Sequence, residues 1–164
     1  MIAHLRKSDF RIQTVEEHSL NVAAISKHFG KKADFSSMAE LAGLLHDMGK
    51  STTAFKTYLE KAVKGYDQKL EKIDHSTAGA KFLYERYYVH SPKNNKDFIN
   101  NYVVEIIGMV ILSHHSGLQN FLQVDYSESD FFRRVCKKDL PYYDEAVSNF
   151  INEEYEKKVD QLFK

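Results

Sequence analysis

Hydrophobic residues recur at helical spacing along nearly the whole chain, and little interrupts that pattern. Only seven Gly and two Pro occur among the 164 residues, so residues that end helices or form tight turns are scarce. Apolar side chains three or four positions apart form the stripe through which a helix packs on a core. Since 43% of the residues are hydrophobic, such a core can be built. The pattern therefore predicts an all-α fold, a compact bundle of about six to seven helices.

Capping signals place the boundaries of these helices. Thr14 and Glu17 have the spacing of a capping box, which predicts a helix that ends at Gly30. Similar signals predict further helices from Ser36 or Ser37 to near Gly49, from Ser51 or Thr52 to Gly65, from His75 to Ser91, and from Pro141 through Leu162. The polar stretches 64–72 and 93–96 are expected to be loops.

The stretch 102–112 is apolar on every side. Its β-branched residues would also suit a strand, but its length and its helical neighbours favour a helix. A helix that is hydrophobic all round is expected to be buried. The sequence therefore predicts a buried central helix here, closed by Gly117.

Charge and cysteine content exclude several classes of protein. Basic residues number 23, as do acidic residues, so the chain does not hold nucleic acid by bulk charge alone. No apolar run approaches the roughly 18 residues of a membrane span, so no membrane contact is expected. The lone Cys136 favours a reducing, cytoplasmic setting. We expect a monomer with a single domain over residues 1–164, whose helical pattern stops at Phe163 as though the natural chain continued.

Two pairs of residues, His46–Asp47 and His114–His115, lie at apolar helix ends. A single helical His is more often a surface or hydrogen-bonded core residue than a metal ligand. Burying imidazoles beside a carboxylate, however, costs several kcal/mol unless something satisfies them, and a bound cation is the most economical partner. Nitrogen and oxygen donors suit Mn, Fe, Co, Ni or Zn rather than Ca²⁺. The lack of a Cys cluster excludes a tetrathiolate zinc site.

The adjacency of His46 and Asp47 favours two ions over one. Neighbouring residues on a helix point about 100° apart, so these two side chains do not easily bind one small ion from the same direction. Asp47 could instead bridge two ions, and two ions about 3.5–4 Å apart are a known device for phosphodiester hydrolysis. Lys50 lies on the same helical face and could offset the charge of a phosphate; equally, it could be a cation placed at a helix C-terminus.

These motifs together resemble the HD-type metallophosphohydrolase superfamily. The resemblance rests on His18, on His46-Asp47-Met48-Gly49-Lys50, on His75-Ser76-Thr77-Ala78-Gly79, and on Ser113-His114-His115-Ser116-Gly117-Leu118. Within that superfamily the order and spacing are most similar to the HD nuclease domain of the type I CRISPR effector helicase-nuclease. The resemblance covers residues 14–118, about two-thirds of the chain.

This resemblance implies a site and an activity. His18 and His46 would ligate one metal, Asp47 would bridge, and the second metal would be held by His75, His114 and His115. Asp47 and Lys50 are the implied catalytic residues, with Lys50 beside the bound phosphate. The implied cofactors are one or two divalent ions, with Mn, Fe, Ni or Co expected before Mg or Zn. The implied activity is cleavage of single-stranded DNA in CRISPR interference, with a helicase domain or subunit and a surveillance complex as partners.

The chain departs from the family at one ligand. Family members usually add a late Asp, from a C-terminal helix, to the first metal. After His115 the chain offers Asp125, Asp130, Asp139, Asp144 and Asp160, none in the small-residue apolar context that is typical of the family. Either the domain is truncated before this ligand or another residue replaces it.

Two other functions remain open. The first is an HD-type nucleotide or cyclic-dinucleotide phosphohydrolase, although the Gly-Tyr-Pro element of one cyclic-dinucleotide class is absent, since Asp67 follows Gly65-Tyr66. The second is a non-catalytic metal-binding interaction module, which the missing late Asp would suit.

The remaining basic and histidine residues carry weaker signals. A run of Arg133, Arg134, Lys137 and Lys138 beside Phe131-Phe132 could guide a DNA strand by charge and stacking, but such a run is more often a solvated helix face. The three histidines without suitable neighbours are expected to be solvated or incidental: His4, His28 and His90.

Overall fold

The chain folds into helices, as the hydrophobic pattern predicts, and the all-α class is confirmed. The computed structural model describes residues 1–6, 8–64, 73–115, 117 and 128–164. Those ranges contain eight α-helices: α1 (Val15–Gly30), α2 (Ser36–Leu45), α3 (Thr53–Val63), α4 (Thr77–Tyr87), α5 (Asn95–Ser113), α6 (Asp130–Phe132), α7 (Tyr143–Phe150) and α8 (Glu153–Phe163). A π-helical turn over Arg133–Lys137 extends α6, and 3₁₀ turns span Lys31–Ala33 and Met48–Lys50.

Predicted capping residues begin two of these helices. The hydroxyl oxygen of Thr14 accepts a hydrogen bond from the backbone N–H of Glu17 at 3.0 Å. The hydroxyl oxygen of Thr52 accepts one from the backbone N–H of Phe55 at 3.2 Å. The first of these helices, α1, ends at Gly30 as its sequence predicts.

Two helices end earlier than predicted. α2 ends at Leu45 rather than near Gly49, because Asp47 has left the helical conformation, with φ −110° and ψ 17°. α4 ends at Tyr87, four residues before Ser91. The predicted helix end at Gly65 and most of the predicted loop 64–72 lie outside the described residues.

The helix α5 is longer and less buried than predicted. It begins at Asn95, because the side chain of Asn94 accepts a hydrogen bond from the backbone N–H of Asp97 at 3.0 Å. The polar stretch 93–96 is therefore a helix start rather than a loop. One face of α5 packs in the core through Val104, Ile107 and Ile111, while the opposite face is more than half exposed at Ile99, Tyr102, Ile106 and Val110.

The last predicted helix is divided in two. α7 ends at Phe150, and α8 begins after Asn152, whose side-chain oxygen accepts a hydrogen bond from the backbone N–H of Tyr155 at 2.9 Å. Hydrophobic spacing alone does not reveal this break, since the apolar residues on both sides keep the helical period. The division and the short α6 raise the described helices to eight.

A two-stranded antiparallel hairpin, which the sequence did not predict, precedes α1. It pairs β1 (Ile2–Leu5) with β2 (Ile12–Thr14), and His4 lies opposite Gln13. Ala3 is buried in the core at 1% exposure, and the carbonyl of Met1 accepts a hydrogen bond from the backbone N–H of Val15 at 3.0 Å. These contacts fix the hairpin against the start of α1.

Close backbone contacts bring the end of α2 against the start of α4. A Cβ on Gly49 would overlap the carbonyl of His75, and a Cβ on Gly79 would overlap the carbonyl of Leu45. Only glycine fits such an approach. The two segments that carry Asp47 and His75 are thereby held side by side, above a core built by α2, α4 and α5.

None of the helices in the described ranges has both the length and the apolar character needed to cross a bilayer.

Candidate metal centre

The carboxylate of Asp47 is the centre of the site. It is buried directly after α2, with its residue 1% exposed. Its Oδ2 atom lies 3.0 Å from Nε2 of His18, which projects from the first turns of α1. The same oxygen lies 3.1 Å from Nε2 of His46 and 2.9 Å from Nζ of Lys50. We call the space faced by His18, His46 and Oδ2 the first position.

The other oxygen of Asp47 faces a different set of imidazoles. Oδ1 lies 3.6 Å from Nε2 of His75, just before α4, and 3.5 Å from Nε2 of His114, just after α5. His115 joins this set, since the ligand atoms of Asp47, His75, His114 and His115 all lie within 4.8 Å of one another. We call this group the second position.

Backbone carbonyls set the orientation of three of these rings. Nδ1 of His46 lies 2.8 Å from the carbonyl oxygen of Gly43, and Nδ1 of His114 lies 2.6 Å from that of Ile111. Nδ1 of His75 lies 3.2 Å from the carbonyl oxygen of Ile73. Because a carbonyl only accepts, Nδ1 carries the proton and donates it, and a neutral ring then presents the lone pair of Nε2 to Asp47.

Burial keeps two of the rings neutral. Burial lowers the pKa of His18 to about 4 and the pKa of His75 to about 4, although the nearby charge of Asp47 opposes both shifts. For Asp47, burial alone would raise the pKa. Hydrogen bonds from the cationic forms of His114 and His46, together with the charge of Lys50, more than reverse that effect and hold the pKa of Asp47 well below its usual range. At neutral pH the site therefore presents an ionised carboxylate to nitrogen lone pairs.

Buried atoms of the site crowd together with few hydrogen-bond donors among them. Oδ1 of Asp47 and Nε2 of His75 are buried without a hydrogen-bond partner. Nε2 of His18 and Nε2 of His46 lie 3.1 Å apart. Because Nδ1 of His46 donates its proton to Gly43, its Nε2 is an acceptor. This acceptor faces a second one, the carboxylate of Asp47. Such an arrangement is costly unless a cation lies among the lone pairs.

The second position is braced from behind by Asp74 and Arg134. Asp74, directly before His75, accepts hydrogen bonds from Nη2 of Arg134 at 3.1 Å and from Nζ of Lys138 at 2.6 Å. Nη1 of Arg134 donates to the carbonyl of Leu112 at 3.1 Å, two residues before His114. Arg134 therefore ties the segment that carries His75 to the end of α5.

The basic run, predicted to be a strand guide or a solvated helix face, divides between two roles. Arg133, Lys137 and Lys138 have exposed side chains, as expected of a solvated helix face, whereas Arg134 is a bracing residue with its side chain 13% exposed. Phe131 is fully buried, so its ring cannot stack on a base. Arg134 and Lys138 pair with Asp74, while Arg133 pairs with Asp130 at 2.6 Å and Lys137 with Glu128 at 2.7 Å. Burial would raise the pKa of Asp74, but hydrogen bonds from Lys138 and Thr77 and the charge of Arg134 hold it below its usual range.

The HD-domain family model matches residues 15–130, more than half of the chain. This chain belongs to the HD domain family. HD domains are generally metal-dependent phosphohydrolases, and residues from His18 to His115 fall within the matched region. A comparison with curated proteins finds no match.

The structure brings together all seven site residues predicted for this HD domain: His18, His46, Asp47, Lys50, His75, His114 and His115. His46 and Asp47 approach each other because the helix ends before them, so the 100° separation expected within a helix does not apply. The cluster of nitrogen and carboxylate donors fits a divalent ion.

One histidine of the cluster was missed by sequence reasoning. His4, expected to be solvated or incidental, has its ring centroid 4.5 Å from that of His18. Ligand atoms of His4, His18 and Asp47 lie within 4.8 Å of one another. His4 lies outside the residues matched by the HD family. Only the pairing of the hairpin brings it here, and no local pattern in the sequence signals that pairing.

The late Asp that the family resemblance implies is not part of the site among the described residues. Neither group of ligands that could hold a metal includes Asp130, Asp139, Asp144 or Asp160. Asp160 instead pairs at 2.9 Å with Arg86, in the last turn of α4. Asp125 lies outside the described residues.

Proposed function

We propose that this HD domain is a metal-dependent nuclease that cleaves single-stranded DNA in CRISPR interference. The observation that carries the proposal is the division of one buried carboxylate between two sets of imidazoles. Oδ2 of Asp47 faces His18 and His46, and Oδ1 faces His75 and His114. A bridging carboxylate with separate nitrogen donors on each side is the arrangement that two-ion phosphodiester hydrolysis needs.

Each of the two proposed ions would have its own set of imidazole ligands. His18 and His46 would hold one ion at the first position, and His75, His114 and His115 would hold the other at the second. We propose one or two ions of Mn, Fe, Ni or Co, as the family resemblance implies, and the many imidazoles favour Fe and Ni over Mg. When bound, such ions clamp the phosphate, activate water and stabilise the leaving oxygen.

The protein itself contributes orientation and charge. The carbonyls of Gly43, Ile73 and Ile111 hold the rings so that their Nε2 atoms face Asp47. Lys50 is buried, with its side chain 5% exposed, and carries a positive charge 2.9 Å from Oδ2. That charge is suited to a non-bridging oxygen of the substrate phosphate, because an anion drawn into the site meets it with little competition from water.

The proposed substrate and partners are supported by the charge of the domain and by the family resemblance. With 23 basic and 23 acidic residues, the domain lacks the excess charge by which nucleic-acid-binding proteins hold a strand unaided. We therefore propose that a helicase domain or subunit, acting with a surveillance complex, delivers single-stranded DNA to a monomeric HD domain in the cytoplasm. The tandem His114-His115 and the Lys50 that follows His-Asp support the nuclease over the nucleotide hydrolases.

The test is a cleavage assay on circular and linear single-stranded DNA with Mn²⁺ or Ni²⁺. A panel of deoxynucleoside triphosphates and cyclic dinucleotides is run beside it. We expect DNA cleavage by the wild-type protein and by His28→Ala, whose exposed ring lies outside both positions. Asp47→Ala should be inactive.

Each other result selects a different function. Phosphate release from nucleotides with intact DNA would favour the nucleotide hydrolase. Equal, metal-independent inactivity of wild type and Asp47→Ala on every substrate would favour the non-catalytic interaction module.

A further inference from the structure

We propose that His4 is the fourth protein ligand of the first position, where it replaces the late Asp that similar HD nucleases use. The inference deepens the proposed function, because it completes the metal centre on which that function rests. It requires only metal binding, however, and can be tested without any nucleic acid.

The hairpin holds His4 in place. His4 pairs with Gln13 across the two strands, while the neighbouring Ala3 is buried in the core. The carbonyl of Met1 is tied to Val15, the first residue of α1. His18 lies one turn further along the same helix, so the hairpin and the first turns of α1 form one unit that carries both imidazoles.

The ring of His4 lies beside the donors of the first position. Its ring meets that of His18 edge-on, with an interplanar angle of 73°. One ring nitrogen of His4 lies within 4.8 Å of the ligand atoms of both His18 and Asp47. Two donors that each lie about 2 Å from one ion are at most about 4 Å apart, so binding requires these atoms to lie within about 4 Å of one another, which at most a small inward movement of the His4 ring provides.

A count of donors supports the assignment. Without His4 the first position has two imidazoles and one carboxylate oxygen: His18, His46 and Oδ2 of Asp47. With His4 it would have three imidazoles and one oxygen, the same kinds of donor as at the second position. Among the described residues no further carboxylate approaches this side of Asp47.

The replacement changes the charge of the site and its choice of metal. An imidazole is neutral where an Asp would be negative, so Asp47 is the one carboxylate that the described residues offer to both ions. Imidazole suits Ni, Co, Fe and Zn, whereas carboxylate favours Mn and Mg. The first position should therefore prefer Ni²⁺ or Co²⁺ over Mn²⁺.

The experiment titrates metal-stripped protein with Co²⁺ or Mn²⁺ by calorimetry, with the visible absorption of bound Co²⁺ as a second readout. We expect two Co²⁺ ions per wild-type chain. His4→Ala should weaken one of them by about tenfold or more, because even outer ligands of a metal site are worth 10–100-fold in affinity. His28→Ala, which removes another exposed imidazole, should match wild type.

A second variant tests the metal preference. His4→Asp should restore binding at the first position relative to His4→Ala and shift its preference from Co²⁺ toward Mn²⁺. Thermal unfolding of each metal-stripped variant checks that the fold is intact, and the restored binding of His4→Asp excludes a merely structural effect.

The outcomes separate the two proposals. If His4→Ala binds Co²⁺ as wild type does, or if wild type binds a single ion that His4→Ala leaves unchanged, His4 is not a ligand, whatever the nuclease assay shows. If His4→Ala loses one ion while wild type leaves single-stranded DNA uncut, the ligand assignment stands and the proposed substrate is wrong.

Discussion

The two sides of Asp47 are built differently. On the second side, Oδ1 and Nε2 of His75 are buried without a hydrogen-bond partner. On the first side, Lys50 already lies 2.9 Å from Oδ2. A cation entering the second position therefore finds lone pairs with nothing to displace, whereas a cation entering the first position competes with an ammonium group. We expect the second position to bind its ion more tightly.

The contacts that hold the ligands in place also differ between the two positions. The second position is tied together by Arg134, which contacts both the segment before His75 and the end of α5. The first position depends on a hairpin whose two strands contain seven residues in all, with His4 exposed to solvent. Ligands on rigid, braced segments lose less entropy when an ion binds, and this reinforces the expected order of affinity.

The largest effect is expected from the residue that the two sides share. Asp47→Asn keeps the shape of the side chain but removes its charge, so both ions should be lost and cleavage should fall by about a thousandfold or more. Calorimetry with Co²⁺ measures the first effect and the DNA assay the second. A variant that kept one tightly bound ion would show that the carboxylate does not bridge.

The next largest effect distinguishes the ion at the first position from the ion at the second. His75→Ala should weaken the tighter ion by roughly 100-fold, since a direct ligand is worth at least as much as an outer one. His18→Ala, its counterpart on the other side, should weaken only the looser ion. Paired Co²⁺ titrations of the two variants make the measurement, and the reverse assignment would overturn the order of affinity proposed above.

The bracing of the second side is tested by Arg134→Met. It leaves Asp74, Leu112 and Thr77 with fewer hydrogen bonds in a half-buried setting, so unfolding free energy should fall by about 2 kcal/mol in urea denaturation. Arg133→Met is the matched control. Its pair with Asp130 is at the surface, with the Arg133 side chain 59% exposed, and its loss should change stability by about 0.5 kcal/mol or less. Equal losses from both variants would mean that Arg134 does not brace the site.

The smallest effect is expected from Lys50, the residue that makes the first position differ from the second. Lys50→Met removes the cation that competes for Oδ2, so the ion at the first position should bind about tenfold more tightly, a change of about 1.4 kcal/mol. The ion at the second position should change less. A weakened first ion would show that Lys50 helps to shape this position rather than competing for it.

The sequence predicted the parts of this protein that depend on neighbours in the chain. Helical spacing placed α1 to α5, and Thr14 and Thr52 cap helices as expected. Asn94 and Asn152 were not recognised as caps, because the polar first turn of α5 lacks an apolar stripe and because the stripe of α7 continues in phase into α8.

The candidate site was predictable to the extent that its residues occur in motifs. The His-Asp and His-His pairs, with His18 and His75, lie in segments typical of the HD family, and the structure brings them together. His4 and Arg134 have no such signal, since each reaches the centre through contacts with residues distant in the chain. Polar groups that act through tertiary contacts look like ordinary surface residues in a sequence.

The position of the hairpin has a practical consequence for anyone who purifies this protein. His4 lies three residues from Met1, about 10 Å of extended chain. A polyhistidine tag fused ahead of Met1 would place six foreign imidazoles within reach of the ion that His4 is proposed to bind. For a protein expressed from Met1 to Lys164, affinity tags therefore belong after Lys164 if the number of bound ions is to be counted.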